Sequence, residues 1–396
     1  MTQAVQLRRA CGVARFAFNW GLAEWRRQYA AGGTPNALAL KKQFNAIKRD
    51  QFPFVAEVTK CAAESAFANL GQAFANFFRR VKAKQPPGYP QFKKRGVHDA
   101  FGVGNDMFRL DGRRAFLPKL GWVRTREALR FRGKILGGVI SCDAGRWFLS
   151  VQVDCGANEA VPRVIGPIVG VDLGLATFAT LSTGEKIAAP KPLRRHLARL
   201  ARAQRIQSRR RPGSQRRAQA RYRVARLHRR VRDIRADFLH KLTTRLCREN
   251  QAVVVEDLSV RGMQRRWGRA IADAGFAEFR RQLEYKAPLH GARLVVVDRF
   301  FPSSKTCAAC GAIKNVLALS ERAFRCEACG HVADRDVNAA MNLRTLGLRE
   351  TGRPRPSNAR GPEGADAVVR DRVKPRRDEA RTTPRRTHVC AHSRKQ

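Results

Sequence analysis

The chain has 396 residues, 43% of them hydrophobic, so it is long enough to form two or three domains with real cores. Lysine and arginine number 79 against 32 aspartate and glutamate, which gives a formal net charge of +47. A compact chain with this self-repulsion needs a polyanion, and nucleic acid is the natural one because each phosphate contact releases a counterion. The rival polyanion is an anionic membrane surface, but no run of about 18 apolar residues suggests a membrane span. With no recognisable signal peptide, the sequence predicts a cytoplasmic protein with no membrane partner.

The first 85 residues carry a helical pattern. Apolar residues recur at helical spacing from Cys11 to Trp25, around Leu40, and most clearly from Phe67 to Phe77. This predicts a small helical bundle over residues 1–85. Three prolines and a glycine in QPPGYPQFKKR then break the pattern. The partly alternating segments that follow predict a small basic β-barrel over residues 86–160, a shape that often grips nucleic-acid backbones.

Residues 161–302 alternate between buried strands and helices. GPIVGVDLG places Asp172 in an apolar strand, and AVVVED ends another strand at Glu256. Between them, residues 192–250 predict a basic helical hairpin, interrupted at Pro212 and Gly213. A charge run of this kind is usually a solvated face, but the near absence of acidic partners favours contact with phosphates.

Four cysteines follow the last predicted strand in the spacing C-x2-C-x15-C-x2-C, with a glycine after each pair: Cys307, Cys310, Cys326 and Cys329. This spacing is typical of a zinc ribbon, here over residues 303–332, and the alternative is four unrelated buried cysteines. We therefore predict a structural Zn(II) site. His331 could offer a fifth ligand, but four thiolates already complete a tetrahedral site.

The next segment, residues 333–346, is expected to contain a short helix opened by Asp334 or Asp336. Its predicted inward-facing residues are Val337, Ala340 and Met341. Taken alone, either aspartate is most simply an N-cap. Residues 347–396 are rich in proline, arginine and glycine and carry little periodicity, which predicts a disordered basic tail.

Three carboxylates stand at the ends of predicted elements: Asp172, Glu256 and Asp336. Burying a charge is costly, so three buried carboxylates need a compensating cation. Carboxylates of this kind can hold two Mg(II) ions about 4 Å apart, an arrangement that hydrolyses phosphodiesters. Each strand motif is weak by itself, but the order of the motifs with the zinc ribbon is specific.

These motifs in this order resemble the TnpB family, the OrfB-type proteins of bacterial insertion sequences, long described as transposases and related to the type V CRISPR effectors. The resemblance covers most of residues 10–346. The segments that carry it are GVARFAFNW, GYPQFKKR, RWFLSVQVD, IVGVDLGLATFATLS, RADFLHKLT, VVVEDLSVRGM, EFRRQLEYKA, DRFFPSSKTCAACG and FRCEACGHVADRDVNAAMNL.

The resemblance implies an α/β fold with a RuvC-like, RNase H-type nuclease domain. A basic helical insertion and a zinc ribbon split this domain, and a wedge-like β-barrel with a helical recognition unit precedes it. The family's catalytic acids fall on Asp172, Glu256 and Asp336, which would hold Mg(II), and Asp334 becomes the cap. The implied activity is RNA-guided cleavage of a DNA target, with a guide RNA derived from the element's own end and a short motif beside the target.

One departure from the family pattern concerns the start of the chain. Family members open with a basic strand before a Q-x-x-L segment, whereas Met1 and Gln3 lie almost inside that segment here. The barrel is therefore expected to lack a strand, through either a mis-called start codon or genuine decay. Two rival functions stay open from the sequence: a nuclease-inactive regulator that binds nucleic acid, and a transposase that uses the same acids for strand transfer.

Overall fold

The computed structural model describes residues 2–156, 165–318, 320–351 and 385–391. The chain forms two compact units. The first comprises Met1–Asn158 with Arg381–Gln396, and the second comprises Glu159–Ala380. None of the helices in the described residues is both long enough and apolar enough to cross a membrane.

Three helices begin the first unit: α1 (Gln3–Ala30), α2 (Ala37–Gln51) and α3 (Cys61–Lys82), with a short 3-10 helix at Pro53–Glu57. They enclose a core rich in aromatic rings, because the apolar stripe of each helix faces the others. Its largest fully buried side chains are phenylalanines and leucines, and all three helices contribute to this set.

Six strands follow in the same unit: β1 (Ala100–Gly104), β2 (Arg109–Asp111), β3 (Arg114–Leu117), β4 (Gly121–Arg124), β5 (Lys134–Asp143) and β6 (Arg146–Asp154). They form two antiparallel sheets, one containing β1, β5 and β6 and the other containing β2, β3 and β4. The expectation of a barrel over residues 86–160 is therefore corrected, since no closed barrel forms among the described strands. Tight turns return β2, β3 and β4 onto one another, so these short strands form their hydrogen bonds within their own sheet.

The second unit is built on a five-stranded sheet. Its strands are β7 (Ile168–Leu173), β8 (Thr177–Leu181), β9 (Lys186–Ala188), β10 (Ala252–Glu256) and β11 (Arg293–Val297). They lie in the order β11-β10-β7-β8-β9, in which β7, β10 and β11 are parallel and β8 and β9 are antiparallel additions. The carboxyl ends of β7 and β10 therefore lie side by side.

Helices cover both faces of this sheet. The helices are α4 (Pro192–Ser208), α5 (Gln215–Glu249), α6 (Val260–Ala274), α7 (Phe276–Leu289) and α8 (Arg335–Thr351), and a two-stranded sheet is formed by β12 (Ala323–Arg325) and β13 (Val332–Asp334). Val171 and Val255 share one core with residues of α5, α6 and α7. Val254 faces the other way and shares a core with Leu343 of α8. Alternation along each strand thus separates the two cores.

The last described strand, β14 (Arg385–Ala391), pairs antiparallel with β6 and belongs to the first unit. It lies inside the segment 347–396, for which the sequence predicts disorder, and α8 also continues to Thr351. The rest of that prediction, over residues 352–384 and 392–396, lies outside the described residues.

Candidate active site and metal centre

Two of the three predicted carboxylates lie at neighbouring positions of the sheet. Val171 of β7 pairs in parallel register with Val255 of β10, so the next residues, Asp172 and Glu256, lie side by side at the carboxyl ends of these strands. Side chains alternate between the two faces of a strand. Asp172 therefore shares its face with Gly170, and Glu256 shares its face with Val254, which is the side covered by α8.

Helix α8 brings the third carboxylate to the same place. It runs antiparallel to β7, because Gly170 lies against Ala340, whereas Gly347 lies against Ile168, two residues farther from the carboxyl end of β7. Asp336 is in the first turn of α8, one turn before Ala340. All three predicted acids thus converge at the carboxyl ends of β7 and β10.

Gly170 permits this close packing. A Cβ atom at this position would lie 2.0 Å from the carbonyl oxygen of Ala340 and 2.7 Å from the amide nitrogen of Arg344. Both atoms are backbone, so no side-chain rotation could relieve the clash. The motif GVD therefore combines a residue that admits the helix with one that faces its first turn.

The electrostatics of the cluster reflect three like charges, with Arg335 as the cation paired with Asp336. Burial, together with the nearby charges of Glu256 and Asp336, raises the pKa of Asp172 from 3.8 to about 7, against an opposing effect of Arg335. Burial also raises the pKa of Glu256, opposed by a hydrogen bond that the Ser303 hydroxyl donates to its carboxylate. A cluster of this kind favours a bound cation.

Asp334 has a different role from Asp336. Its Oδ1 accepts hydrogen bonds from the amides of Asp336 and Val337 at 3.1 and 3.2 Å, and its Oδ2 accepts one from Lys186 at 2.7 Å. These bonds cap the first turn of α8. The capping role predicted for Asp334 is confirmed, whereas the carboxylate of Asp336 takes no part in the cap and lies 3.4 Å from the Nε of Arg335.

The four predicted cysteines come together. Cys307 and Cys329 have their Sγ atoms 3.7 Å apart, and Cys310 and Cys326 have theirs 3.6 Å apart. All four sulfur atoms lie within 4.8 Å of one another. A tetrahedron of sulfur atoms around zinc, with Zn–S bonds of about 2.3 Å, has edges of roughly 3.8 Å. The cluster could therefore bind zinc.

Both turns of this cluster have the backbone that the sequence predicts. The amide of Gly311 donates to the carbonyl of Cys307 at 2.9 Å, and the amide of Gly330 donates to the carbonyl of Cys326 at 3.1 Å. Both glycines have positive φ, +80° and +73°. The left-handed backbone strains residues with a Cβ, so a glycine after each cysteine pair suits these turns.

The zinc segment is fastened to α8 by two asparagines that the sequence analysis missed. Asn338 accepts from the amide of Ala308 at 2.9 Å and donates to the carbonyl of Thr306 at 2.7 Å. Asn342 donates to the carbonyls of Ser303 and Thr306 at 2.8 and 2.6 Å. Because Ser303 also binds Glu256, one short segment links two of the three acids.

These asparagines also correct the predicted inward face of α8. Asn338 and Asn342 are buried, whereas Met341, which the sequence predicts to face inward, is 37% exposed. Hydrophobicity favours methionine over asparagine for the buried face of a helix. Here the backbone of the zinc segment covers that face, and its polar groups need hydrogen-bond partners. The repeat of asparagine at positions i and i+4 was the available signal.

The carboxylates are more widely spaced than the cysteines. Among the described residues, the cysteines are the one group of metal-ligating side chains whose donor atoms all lie within 4.8 Å of one another. The three carboxylates do not meet that limit. Ligands that surround a pair of ions about 4 Å apart need not all lie so close together.

Comparison with known proteins first defines the class of protein. A family model described as "Probable transposase" matches residues 152–266, a "Cas12f1-like, TNB domain" model matches residues 276–343, and a "Helix-turn-helix domain" model matches residues 1–34. The first match contains Asp172 and Glu256, and the second contains Asp336 and the four cysteines.

Curated relatives then identify the family. A protein of Streptomyces pristinaespiralis named "Putative RNA-guided DNA endonuclease" is 38% identical over 398 residues, covering 96% of this chain and 91% of the relative. The Escherichia coli K12 protein "Putative RNA-guided DNA endonuclease InsQ" is 32% identical, covering 89% of this chain and 93% of the relative. The chain belongs to the TnpB family of OrfB-type insertion-sequence proteins, as its motifs predict.

A solved structure also aligns with the chain. The "Cryo-EM structure of the Cas12f1-sgRNA-target DNA complex" matches with a TM-score of 0.49 and 14% identity, covering 86% of this chain and 82% of that one. A likeness at this level is too weak to assign a function.

Proposed function

We propose that this protein is a transposon-encoded, RNA-guided DNA endonuclease with a RuvC-like, RNase H-type nuclease core. The observation that carries the proposal is the convergence of Asp172, Glu256 and Asp336 at the carboxyl ends of two parallel strands. Family membership, with relatives named as RNA-guided DNA endonucleases, supports the same activity.

Mg(II) fits the residues present. All three acids offer hard oxygen ligands, which this ion prefers. Burial and mutual repulsion raise the pKa of Asp172 to about 7, which is the electrostatic deficit that a cation would remove. Asp172, Glu256 and Asp336 would hold the ions, which supply Lewis acidity that activates water and stabilises the leaving oxygen in phosphodiester hydrolysis.

The neighbouring residues position these acids. The Ser303 hydroxyl fixes one carboxylate oxygen of Glu256 and thereby favours its charged form. The cap at Asp334 fixes the first turn of α8, so the backbone that carries Asp336 is held without using its carboxylate. The cysteine cluster would hold Zn(II) as a structural ion that secures the segment between β11 and α8.

Nucleic-acid binding would come from the basic surfaces. In the hairpin over residues 192–250, Asp233, Asp237 and Glu249 are the only acids among many arginines. A chain with a net charge of +47 gains much of its binding free energy from phosphates, which carry no sequence information. Base pairing with a guide RNA would supply the sequence choice, as in other RNA-guided nucleases.

Sequencing of the RNA that co-purifies with the protein tests this proposal most simply. One discrete RNA species from the end of the element is expected. That RNA, added back with Mg(II), should direct cutting of a matching DNA duplex. A heterogeneous RNA population without cutting would favour a regulator that binds nucleic acid, and cutting without RNA would contradict guided recognition.

A further inference from the structure

Helix α6 follows directly from the strand that carries Glu256. Only residues 257–259 separate that carboxylate from Val260, the first residue of the helix. The sequence has no acid from 258 to 272, and four exposed arginines lie along the helix: Arg261, Arg265, Arg266 and Arg269. Within the part of the chain that the structure describes, none of these four forms an ion pair with a carboxylate. The helix therefore presents a positive surface close to the acidic site.

The helix is broken at Trp267. This residue has φ −126° and ψ 35°, which is not helical, while the residues on both sides continue the helix. A sharp kink needs a local cause, and the glycine at position 268 is the local weakness here. The break separates an N-terminal half near Glu256 from a C-terminal half that ends at Ala274.

The break leaves Trp267 exposed although its spacing places it on the apolar stripe. Val260, Met263, Ile271 and Ala274 recur with Trp267 at helical spacing, and those four contribute to the core against the sheet. Trp267 does not join that core and is 43% exposed. A tryptophan displaced from its core position by a backbone break is a conflict between local pattern and fold, and such conflicts concentrate at functional sites.

Both ends of α6 are anchored, so the exposed ring is held in place. At the C-terminal end, Asp273 is buried and accepts hydrogen bonds from the amides of Leu193 and Arg194 at 2.9 and 3.0 Å. Arg235 donates to the carbonyl of Asp273 at 3.0 Å. The N-terminal end continues from β10. The guanidinium of Arg266 lies 5.0 Å from the centre of the Trp267 ring.

We propose that Trp267 is a positioning residue on which an unpaired base of the DNA strand stacks as that strand approaches Asp172, Glu256 and Asp336. This inference rests on the proposed nuclease function. An indole with an adjacent arginine suits a base and its phosphate, because every base has a π-face and each phosphate is negative. Seven residues of helix separate Val260 from Trp267, about 10 Å, which is about three nucleotide steps at 3.4 Å. A strand that follows α6 from this ring toward Val260 would approach the carboxyl end of β10, and guide pairing leaves one DNA strand unpaired.

The test measures binding of labelled oligo(dT) to the full-length chain carrying Asp172→Ala, by fluorescence anisotropy at a fixed salt concentration. Trp267→Ala should weaken binding about five-fold or more, and Trp267→Phe should restore most of the affinity because a ring remains. A DNA duplex of equal length should bind both variants equally. The slope of log affinity against log salt should stay unchanged in Trp267→Ala, whereas Arg265→Ala should lower it by about one.

A matched control is available in the first unit. Trp122 is 45% exposed and has the guanidinium of Arg114 5.2 Å from its ring. It therefore has the same exposed indole and adjacent arginine as Trp267, but it is not on the helix that follows Glu256. Trp122→Ala should leave oligo(dT) binding unchanged. Unchanged affinity in Trp267→Ala, an equal loss in Trp122→Ala, or a loss confined to oligo(U) would each overturn the proposal. Because the assay does not depend on cutting, a failure of the nuclease function would not be mistaken for a failure of this stacking site.

Discussion

At the scale of single residues, the site depends on what each carboxylate contacts rather than on its chemical type. Asp334 and Asp336 are two positions apart and identical in chemistry. Both carboxylate oxygens of Asp334 accept hydrogen bonds, Oδ1 from backbone amides and Oδ2 from Lys186. The carboxylate of Asp336 instead contributes to the charge that raises the pKa of Asp172. Their substitution should therefore have opposite consequences.

Asp334→Ala should lower the free energy of unfolding by about 1 kcal/mol, the usual cost of losing an N-cap. It should keep most of the guided DNA cleavage. Asp336→Ala should show the reverse, with a nearly unchanged melting temperature and no cleavage. Thermal unfolding and plasmid cleavage on the two variants measure both effects. Loss of cleavage in Asp334→Ala alone would mean that the third proposed catalytic acid is Asp334 and not Asp336.

The charge on Asp172 predicts how stability varies with pH. Its folded pKa of about 7 lies above its usual 3.8, so its stabilising contribution is complete below about pH 4 and is lost as the pH rises through 7. In chelator-treated protein at pH 8, Asp172→Asn should therefore increase the free energy of unfolding by up to roughly 4 kcal/mol. The melting temperature should rise accordingly. The gain should shrink as the pH falls toward 4.

The exposed carboxyl of Asp50 on α2 provides the control for this experiment. Asp50→Asn should leave the pH dependence of the melting temperature as it is in the unaltered chain. Added Mg(II) should stabilise the unaltered chain at pH 8 and have little effect on Asp172→Asn. A pH profile that is the same with and without Asp172→Asn would contradict the electrostatic account of this cluster.

Most of the candidate site residues could be predicted from sequence, and the reason is local. Strand ends, cysteine spacing and the resemblance to a family each point to a residue by its immediate neighbours. Sequence did not predict the roles of three polar residues, Asn338, Asn342 and Ser303, because their hydrogen-bond partners lie on other elements. A polar residue in a short segment gives no sign of what it contacts. Their roles depend on tertiary contacts.

At the scale of elements, the packing of α8 on β7 decides where Asp336 lies. Gly170→Ala would place a Cβ atom 2.0 Å from a backbone oxygen of α8, so the helix must move. We expect a loss of about 1–3 kcal/mol or more in stability, together with a loss of cleavage. Gly12→Ala in α1 is the control, because a Cβ there would meet only a guanidinium nitrogen at 3.8 Å. Full cleavage by Gly170→Ala would show that α8 does not set the position of Asp336.

The zinc segment makes a separate prediction at this scale. Cys326→Ser removes one of four thiolates, so zinc content measured by mass spectrometry and the melting temperature should fall together. Cys155→Ser, which alters an exposed free thiol outside the cluster, should change neither. If Cys326→Ser kept both its zinc and its melting temperature, the assignment of the cluster would be wrong.

The elements that sequence predicted poorly are those whose partners are distant in the chain. The alternation of β5 and β6 was visible, but nothing local showed that β2, β3 and β4 would form their own sheet. The pairing of β14 with β6 joins residues more than 230 positions apart, in a segment whose composition favours disorder. Pairing across such distances is a property of the fold and not of either segment.

At the scale of the whole molecule, binding, sequence choice and chemistry are expected to reside in different parts. Under the proposed function, a net charge of +47 would supply affinity for phosphates, a guide RNA would supply the sequence, and the three carboxylates would supply the chemistry. Removing one carboxylate should therefore abolish cutting while leaving RNA binding intact.

The most direct test of this division is cleavage of a guide-matched plasmid by the protein with its element-derived RNA and Mg(II), run beside RNA binding at the same salt. The account predicts that the unaltered chain cuts only the matched plasmid. It also predicts that Asp172→Ala, Glu256→Ala and Asp336→Ala each bind RNA normally and do not cut. Cutting that needs no RNA, or that persists in any of these three variants, would contradict it.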